Sequence, residues 1–600
     1  MLCYITDQEV PMYSIAYNLK AIFQRIHTFD AKLLVTLLLE VVFSVLFPLL
    51  VNVFPAFLLW CAAQSSYAQA FTMLGIYALV LLLCSYGSSR LSEYNAARLI
   101  GLRFTYSLDM MEQVLHMAYS DLENPKIRDE QAQAVMYSVN ANEYGFEGII
   151  REGKTALSSL CGLLAYILII AKDDLLFSVL FALVALLQMC MYRRARTYEQ
   201  THKQDWIKEA RLFSRLQFLF TKPDPAKDIR LYQLQDWIMG KVTRLSAHCI
   251  KWNQKVQKRY FYAQIKEAFV LLLRDGIAYL WLIDQAMKGM AMDTFVLYVS
   301  LVASLSTWTK ALVKSLNHMQ MDHRGINDYR QFMEKYQQKD ATLSLSDPIG
   351  KIEFDHVSFR YEGGDWIFED FCLTIHAKEK VALVGINGAG KSTLMKLLCG
   401  LYVPQRGRVL IDGVEVTKLS AKQRSDLISI VFQDAAVFAL SLAQNVSCDD
   451  EYEEQAVWEA LKQAGLAEAI HALPNGIHTP LTNLIEENGV HLSGGETQKL
   501  MLARALYHDG KILILDEPSA ALDALAEAAL YEQYAAMCTD KTSIFISHRL
   551  ASTKFCDTIL YLEKGKIIEK GTHTELLAQQ GRYAELYEVQ AQYYRKEQTV

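Results

Sequence analysis

VALVGINGAGKSTLMKLL, Val381–Leu398, joins an apolar β-branched run to a glycine-rich turn and then to a helical pattern. Its centre, GINGAGKS at Gly385–Ser392, fits G-x-x-x-x-G-K-[ST] without a mismatch. The strand-like run before it and the helix-like TLMKLLCG after it are the context that spacing needs to bind phosphate. Backbone N–H groups of such a loop point at phosphate oxygens. Side chains at Gly385, Gly388 and Gly390 would block the approach, and Asn387 sits in the same turn. The helix N-terminus adds a favourable dipole. Lys391 is placed to reach the β/γ-phosphates, and the Ser392 hydroxyl, followed by Thr393, to face Mg²⁺.

Two further stretches belong with the loop. In KILILDEPSAALD the apolar strand Ile512–Leu515 ends in Asp516 and Glu517. A carboxylate at the tip of a buried strand beside a phosphate loop can hold Mg²⁺, and the next one can polarise water as a general base. In HLSGGETQKLMLARAL, His491–Leu506, Ser-Gly-Gly opens an amphipathic helix, which is a second anion site. One complete phosphate loop leaves that second site surplus within a single chain. Two such domains facing each other would each complete the other.

The first half of the chain reads differently. A membrane span needs about 20 mostly apolar residues. Six stretches qualify: 33–60, 68–89, 153–172, 174–192, 264–284 and 294–313. Residues 13–29 carry apolar positions at helical spacing and fit a helix lying in the membrane interface. Sixteen Lys and Arg residues fall between Arg193 and Arg259, while AAQSSYAQA, between the first two spans, has no charge. Basic loops stay cytosolic. This places both termini inside, with two long helical cytosolic loops (90–152 and 193–262) and three short external ones. Each long loop has a prolyl break, at Leu122–Glu130 and Lys222–Tyr232, suited either to a short transverse helix or to a solvated turn. Glu40, Lys266, Glu267, Arg274 and Asp275 are ionisable residues inside expected spans. They mark a polar path, interhelical pairing or a helix stretch that is in fact cytosolic, and the sequence leaves these open.

The 600 residues carry a net charge of −6, which argues against a nucleic-acid partner bound by bulk positive charge. Eleven cysteines are scattered without metal-ligand spacing, so they are expected to be reduced structural thiols. The N-terminus lacks the pattern of a cleavable signal peptide. With the first span starting near residue 33, leader-peptide cleavage by this chain is not expected.

In its six spans, its phosphate loop and the order of its motifs, the chain resembles an ATP-binding-cassette half-transporter of the exporter type. That resemblance implies a multidomain protein: an all-α six-helix transmembrane domain, then an α/β P-loop ATPase domain with a helical subdomain. The boundaries would be 1–332 for the membrane domain, 333–350 for a linker, 351–580 for the nucleotide-binding domain and 581–600 for a C-terminal helix. It implies ATP and Mg²⁺, a bilayer, a second half-transporter (identical or not) and a small-molecule, lipid or peptide cargo. Residue by residue, Tyr361 matches the aromatic that stacks on adenine, and Gln433 in IVFQD the glutamine that contacts Mg²⁺. Ser493, Gly494 and Gly495 match the signature that caps the γ-phosphate across the dimer. Asp516 and Glu517 match the Mg²⁺ carboxylate and the catalytic base, Asp523 the loop that signals between the sites, and His548 in FISHRL the switch histidine. The prolyl breaks would be coupling helices.

Two segments depart from the family pattern. FQDAAVFALSLAQNV lacks the usual glycine and threonine, and in EENG, Glu486–Gly489, Asn488 stands where arginine is usual. Both touch coupling helices in the family, so a coupling surface tailored to a partner is expected. Export of an amphipathic cargo from a bacterial inner membrane is the leading reading. Import through the same architecture and an ATP-gated channel or sensor stay open.

Overall fold

The structure is a computed structural model. It describes residues 13–63, 66–136, 138–139, 144–172, 174–202, 209, 212–217, 224–336, 343, 345, 348–433, 436–483, 488–516, 537–538, 540–547 and 550–597. It divides into two compact units. One comprises residues 1–116 and 126–337, the other 117–125 and 338–600.

The first unit is helical. Its elements are α1 (Ile15–Ala62), α2 (Tyr67–His116), α4 (Pro125–Met136), α5 (Gly145–Ala171), α6 (Leu175–Met191), α7 (Arg193–Thr201), α8 (Asp224–Leu231), α9 (Gln235–Met287) and α10 (Met292–Lys335). The intervening α3 (Tyr119–Glu123) belongs to the second unit. The long helices follow from runs with few breakers. α1 nevertheless keeps Pro48 and Pro55 inside it, which helices in lipid tolerate when neighbours restore the freed backbone groups. At Asp30 its backbone leaves the helical region (φ −160°, ψ 96°). That kink separates the amphipathic stretch from the apolar span.

Four of the described helices, α1, α2, α5 and α10, are long and apolar enough to cross a membrane. α6 has 17 residues, just short of a full span, and α9 carries Lys266, Glu267, Arg274 and Asp275 through the stretch expected to cross. In the apolar window of α2 only 6% of residues are buried. Apolar side chains that face outward, such as Leu79, Leu82 and Leu83, mark a surface solvated by lipid rather than water.

α5 packs along α10, and α1 packs on α2, α5 and α10. Tyr166, Ile170, Phe181, Leu282, Leu301 and Leu305 fill the interior. Close approach depends on Gly162, where an added Cβ would lie 2.7 Å from the Trp308 ring. Several polar groups in this interior are paired. Glu40 accepts from Lys154 of α5 and, at 2.7 Å, from Asn95 of α2. Glu147 pairs with Arg151 at 2.8 Å and Arg103 at 3.4 Å. Arg274 folds onto its neighbour Asp275, its Nε donating at 2.8 Å, and onto Ser306. So Glu40 makes the interhelical pair that one of the two sequence readings offered, whereas Arg274 and Asp275 pair within one helix.

The second unit is α/β. A four-stranded antiparallel sheet runs in the order β2-β1-β4-β5, from β1 (Ile352–Phe359), β2 (Phe368–Ile375), β4 (Arg406–Ile411) and β5 (Val414–Glu415). A six-stranded sheet runs β10-β9-β3-β8-β7-β6. Its strands are β3 (Lys380–Val384), β6 (Ile428–Val431), β7 (Ile512–Asp516), β8 (Thr542–Ile546), β9 (Thr558–Glu563) and the antiparallel edge β10 (Lys566–Gly571). β3, β7 and β8 are apolar except at their ends (Lys380, Asp516, Thr542 and Ser543) and almost wholly buried, as parallel strands covered on both faces must be. α11 (Lys391–Leu398) follows β3, and α12 (Ala421–Leu427) precedes β6. A helical subdomain comprises α13 (Leu442–Ser447), α14 (Glu454–Gln463), α15 (Ala467–His471) and α16 (Gly494–His508), with a core that includes Leu442, Val457, Leu461 and Leu500. α17 (His573–Ala578) and α18 (Arg582–Glu597) close the chain's described part. α10 runs to Lys335, three residues into the stretch expected to be linker.

Candidate nucleotide site

Parallel strands put their C-terminal ends on one edge of the sheet, and ligands bind outside that edge. Here the register is explicit. Leu383 of β3 is level with Ile546 of β8, and Ile546 is level with Asp516 of β7. Val431 of β6 is level with Leu515. The loop after β3, the tip carboxylate of β7 and Gln433 just beyond β6 therefore share one edge. Strands lie ~4.8 Å apart, so Asp516 stands about 10 Å from the line of β3, with β8 between them.

The loop has the conformation its glycines were expected to allow. Gly385, Gly388 and Gly390 have φ of 152°, 81° and 107°. A Cβ on Gly385 would lie 2.2 Å from the Leu562 carbonyl oxygen, and one on Gly390 2.8 Å from the Phe368 ring. Gly388 meets no obstacle and needs glycine for its backbone angle alone. Gly390 is the N-cap of α11, so the free N–H groups of that helix open onto the loop. Lys391 is buried, and its Nζ donates to the carbonyl oxygens of Gly385 at 2.9 Å and Ile386 at 3.2 Å. The ammonium is held across the mouth of the loop. Asn387 and Ser392 are exposed on it.

Tyr361 reaches the same helix. Its hydroxyl lies 3.1 Å from Thr393 Oγ1, and its ring meets Tyr402 and Phe359 edge-on, each at 5.3 Å between centroids. Tyr402 in turn donates to Glu123 of α3, which also pairs with Lys396 at 3.4 Å. Asn124 donates to Glu362 at 2.7 Å. The first prolyl break therefore forms a short helix seated on the nucleotide unit, one aromatic ring away from Tyr361.

Ser493 is the N-cap of α16 in a capping box with Glu496. The Glu496 backbone N–H donates to Ser493 Oγ at 3.3 Å, and the Ser493 hydroxyl and N–H donate to Glu496 Oε2 at 2.7 and 2.8 Å. Those bonds hold the Glu496 carboxyl below the usual carboxylate range. Gly494 and Gly495 form the first turn. Ser441 caps α13 with Gln444 in the same way, so a hydroxyl still starts the helix where the family's threonine is missing. Asn488 is an exposed turn residue. Glu517, Asp523 and His548 lie outside the described residues.

The donor set suits the expected ligands. Ser392, Gln433 and Asp516 offer a hydroxyl, an amide and a carboxylate oxygen, the donors a hard cation such as Mg²⁺ takes. Among the described residues no cluster of three His, Cys, Asp or Glu could hold a metal alone.

A phosphate-binding loop, a helix of the expected polarity behind it and a carboxylate on the same edge define a P-loop nucleotide-binding domain, here in one chain with a helical membrane unit. The ABC transporter family model matches residues 368–520. The subtilin transport ATP-binding protein SpaT of Bacillus subtilis is 27% identical over 498 residues, 82% of this chain and 80% of that one. The ATP-dependent lipid A-core flippase of Burkholderia pseudomallei (strain 1710b) is 41% identical over 251 residues, 41% of each chain. The probable multidrug resistance ABC transporter ATP-binding/permease protein YheH of Bacillus subtilis (strain 168) is 40% identical over 243 residues, 40% of this chain and 36% of that one. The matches to the flippase and to YheH thus span less than half of those relatives' length. A bacterial Atm1-family ABC exporter with ATP bound superposes with a TM-score of 0.76 at 20% identity, covering 95% of this chain and all of that one, which establishes the fold. The chain thus carries an ABC transporter domain over residues 368–520 beside a helical membrane domain, has the exporter fold, and is similar along most of its length to an ABC half-transporter.

Proposed function

We propose that the chain drives an amphipathic molecule outward across a bacterial inner membrane, paired with a second copy of itself. The observation that carries this reading is the pairing of one phosphate loop with one surplus anion-binding helix end in the same chain. ATP bound by Gly385–Ser392 of one copy would meet Ser493, Gly494 and Gly495 of the other. Bound Mg²⁺ would neutralise phosphate charge. Ser392, Asp516 and Gln433 would hold it, Tyr361 would stack on adenine, Asp523 would signal between the two sites, and His548 would meet the γ-phosphate. Glu517 would take the proton of the attacking water. The seat of α3 beside Tyr361 gives closure of the nucleotide domains a lever on the membrane unit. Relatives named for subtilin transport and lipid A-core flipping support an amphipathic cargo.

Direction is tested in inverted membrane vesicles, with nucleotide domains outside. A fluorescent single-chain amphiphile is expected to accumulate inside with Mg²⁺-ATP. ATP-driven loss from preloaded vesicles would make the chain an importer. ATP turnover with no net movement against a gradient would make it a channel or sensor.

A further inference from the structure

Among the cavities of the first unit, two that lie against α10 differ in character. One, of about 470 Å³, surrounds the Glu40–Lys154 pair and is otherwise lined mainly by hydroxyl-bearing side chains, with Pro48, Trp308 and Ala311. Its charges cancel. The other, of about 680 Å³, lies against α9 and α10 and is lined by Lys310, Lys314, Asn317, His318, Tyr260 and Glu267, among others.

Lys310, Lys314 and His318 fall at i, i+4 and i+8 on α10, so they form one stripe along one helix face. Among the described residues neither lysine makes a hydrogen bond or ion pair. Like charges at i, i+4 oppose each other, with Cβ atoms ~6 Å apart, and no carboxylate among the described residues pairs with either lysine. Both are exposed to the cavity, whereas Lys154 is paired with Glu40 and Arg274 with Asp275. The cavity's own carboxylate does not serve the lysines. Glu267 is buried and accepts from Tyr192 and, at 3.3 Å, from Gln188. His318 has Glu152 at 4.0 Å. A second observation points the same way: Asn317 Oδ1, in the same lining, is buried without a hydrogen-bond partner. A buried polar atom left unmatched costs free energy unless something fills the site.

Position supplies the ligand's shape. Lys310 lies three residues before the end of the sixth expected span, and Lys314 and His318 lie one and five residues beyond it. A ligand held there has its polar end at head-group depth and the apolar bundle above it. We infer that the α9–α10 cavity binds the anionic head group, phosphate or carboxylate, of a single-chain or larger amphiphile, through Lys310 and Lys314, and that this amphiphile is the cargo. The inference rests on the proposed transport function for the word cargo, and on the cavity alone for the site.

The test is equilibrium binding of radiolabelled dodecyl phosphate to the full-length chain without nucleotide, in nanodiscs of phosphatidylcholine. The double variant Lys310→Gln/Lys314→Gln is expected to weaken binding by about tenfold or more, and Lys310→Arg/Lys314→Arg to retain it. Dodecyltrimethylammonium is expected to bind weakly to both. Equal binding of the cationic and anionic probes, or no loss in the glutamine variant, would overturn the site. If inorganic phosphate alone binds as tightly as dodecyl phosphate and is lost in the same variant, the ligand is a free anion and the head-group assignment falls. Folding of both variants is checked in parallel by thermal unfolding, expected to match that of the parent chain. Intact charge-selective binding without vesicle transport would refute the transport reading and leave the site standing.

Discussion

Lys391→Ala is expected to abolish measurable ATP turnover and to weaken ATP binding at least tenfold. The reason is the position of the ammonium. Lys391 is buried and held by the carbonyls of Gly385 and Ile386, across the opening of the loop. Transfer of those bonds to β- and γ-phosphate oxygens exchanges neutral acceptors for charged ones, and charge-assisted bonds are about twice as strong. Alanine removes the cation and leaves the two carbonyls facing the phosphates. The loop itself is expected to survive, since its shape depends on Gly385, Gly388 and Gly390 and on the start of α11. Titration with a fluorescent ATP analogue separates binding from folding. Unchanged affinity in a folded variant would remove Lys391 from the phosphate site.

Glu517→Gln is expected to bind Mg²⁺-ATP with normal affinity and to lower turnover by a factor of about 10² to 10⁴, the range for loss of a general base. Asp516 ends β7 on the nucleotide edge, and Glu517 is the next residue in the chain. The amide keeps the size of the carboxyl and loses its basicity. Single-turnover hydrolysis is the direct reading. A rate within a few-fold of the parent would assign proton transfer to another group.

Much of the nucleotide site was legible because its parts are local in sequence. A strand, a tight glycine turn and a helix follow one another within Val381–Leu398, and each residue type has one physical reason to be there. The strand β7 with its terminal acid was equally plain. The register that sets Asp516 level with Ile546, and so places both loops on one edge, was not legible, because it depends on parallel pairing across long connections. The same holds for the seat of α3. LENPKIRDE suggested a helix or a turn, and only the folded chain places Glu123 on Tyr402 and Lys396.

The membrane half was read by composition, which identifies apolar runs and says little about partners. Adjacent residues on a helix diverge, yet the long Arg274 side chain folds back onto its neighbour Asp275, which composition does not show. Lys310 was passed over in the sequence because a lysine near the end of an apolar run reads as a boundary residue. The spacing Lys310, Lys314, His318 was the available signal, and its weight comes only from the missing partners.

The central claim is that each ATP site is built from two chains. It is tested by ATPase activity of a mixture. Lys391→Ala and Ser493→Arg chains are each expected to be inactive alone. Co-reconstituted, half of the dimers are mixed, and each mixed dimer carries one doubly damaged site and one intact site. The expected result is recovery of ATPase activity in the mixture. A mixture that stays silent, beside an active parent chain, would mean that phosphate loop and signature act within one chain, and would contradict the account.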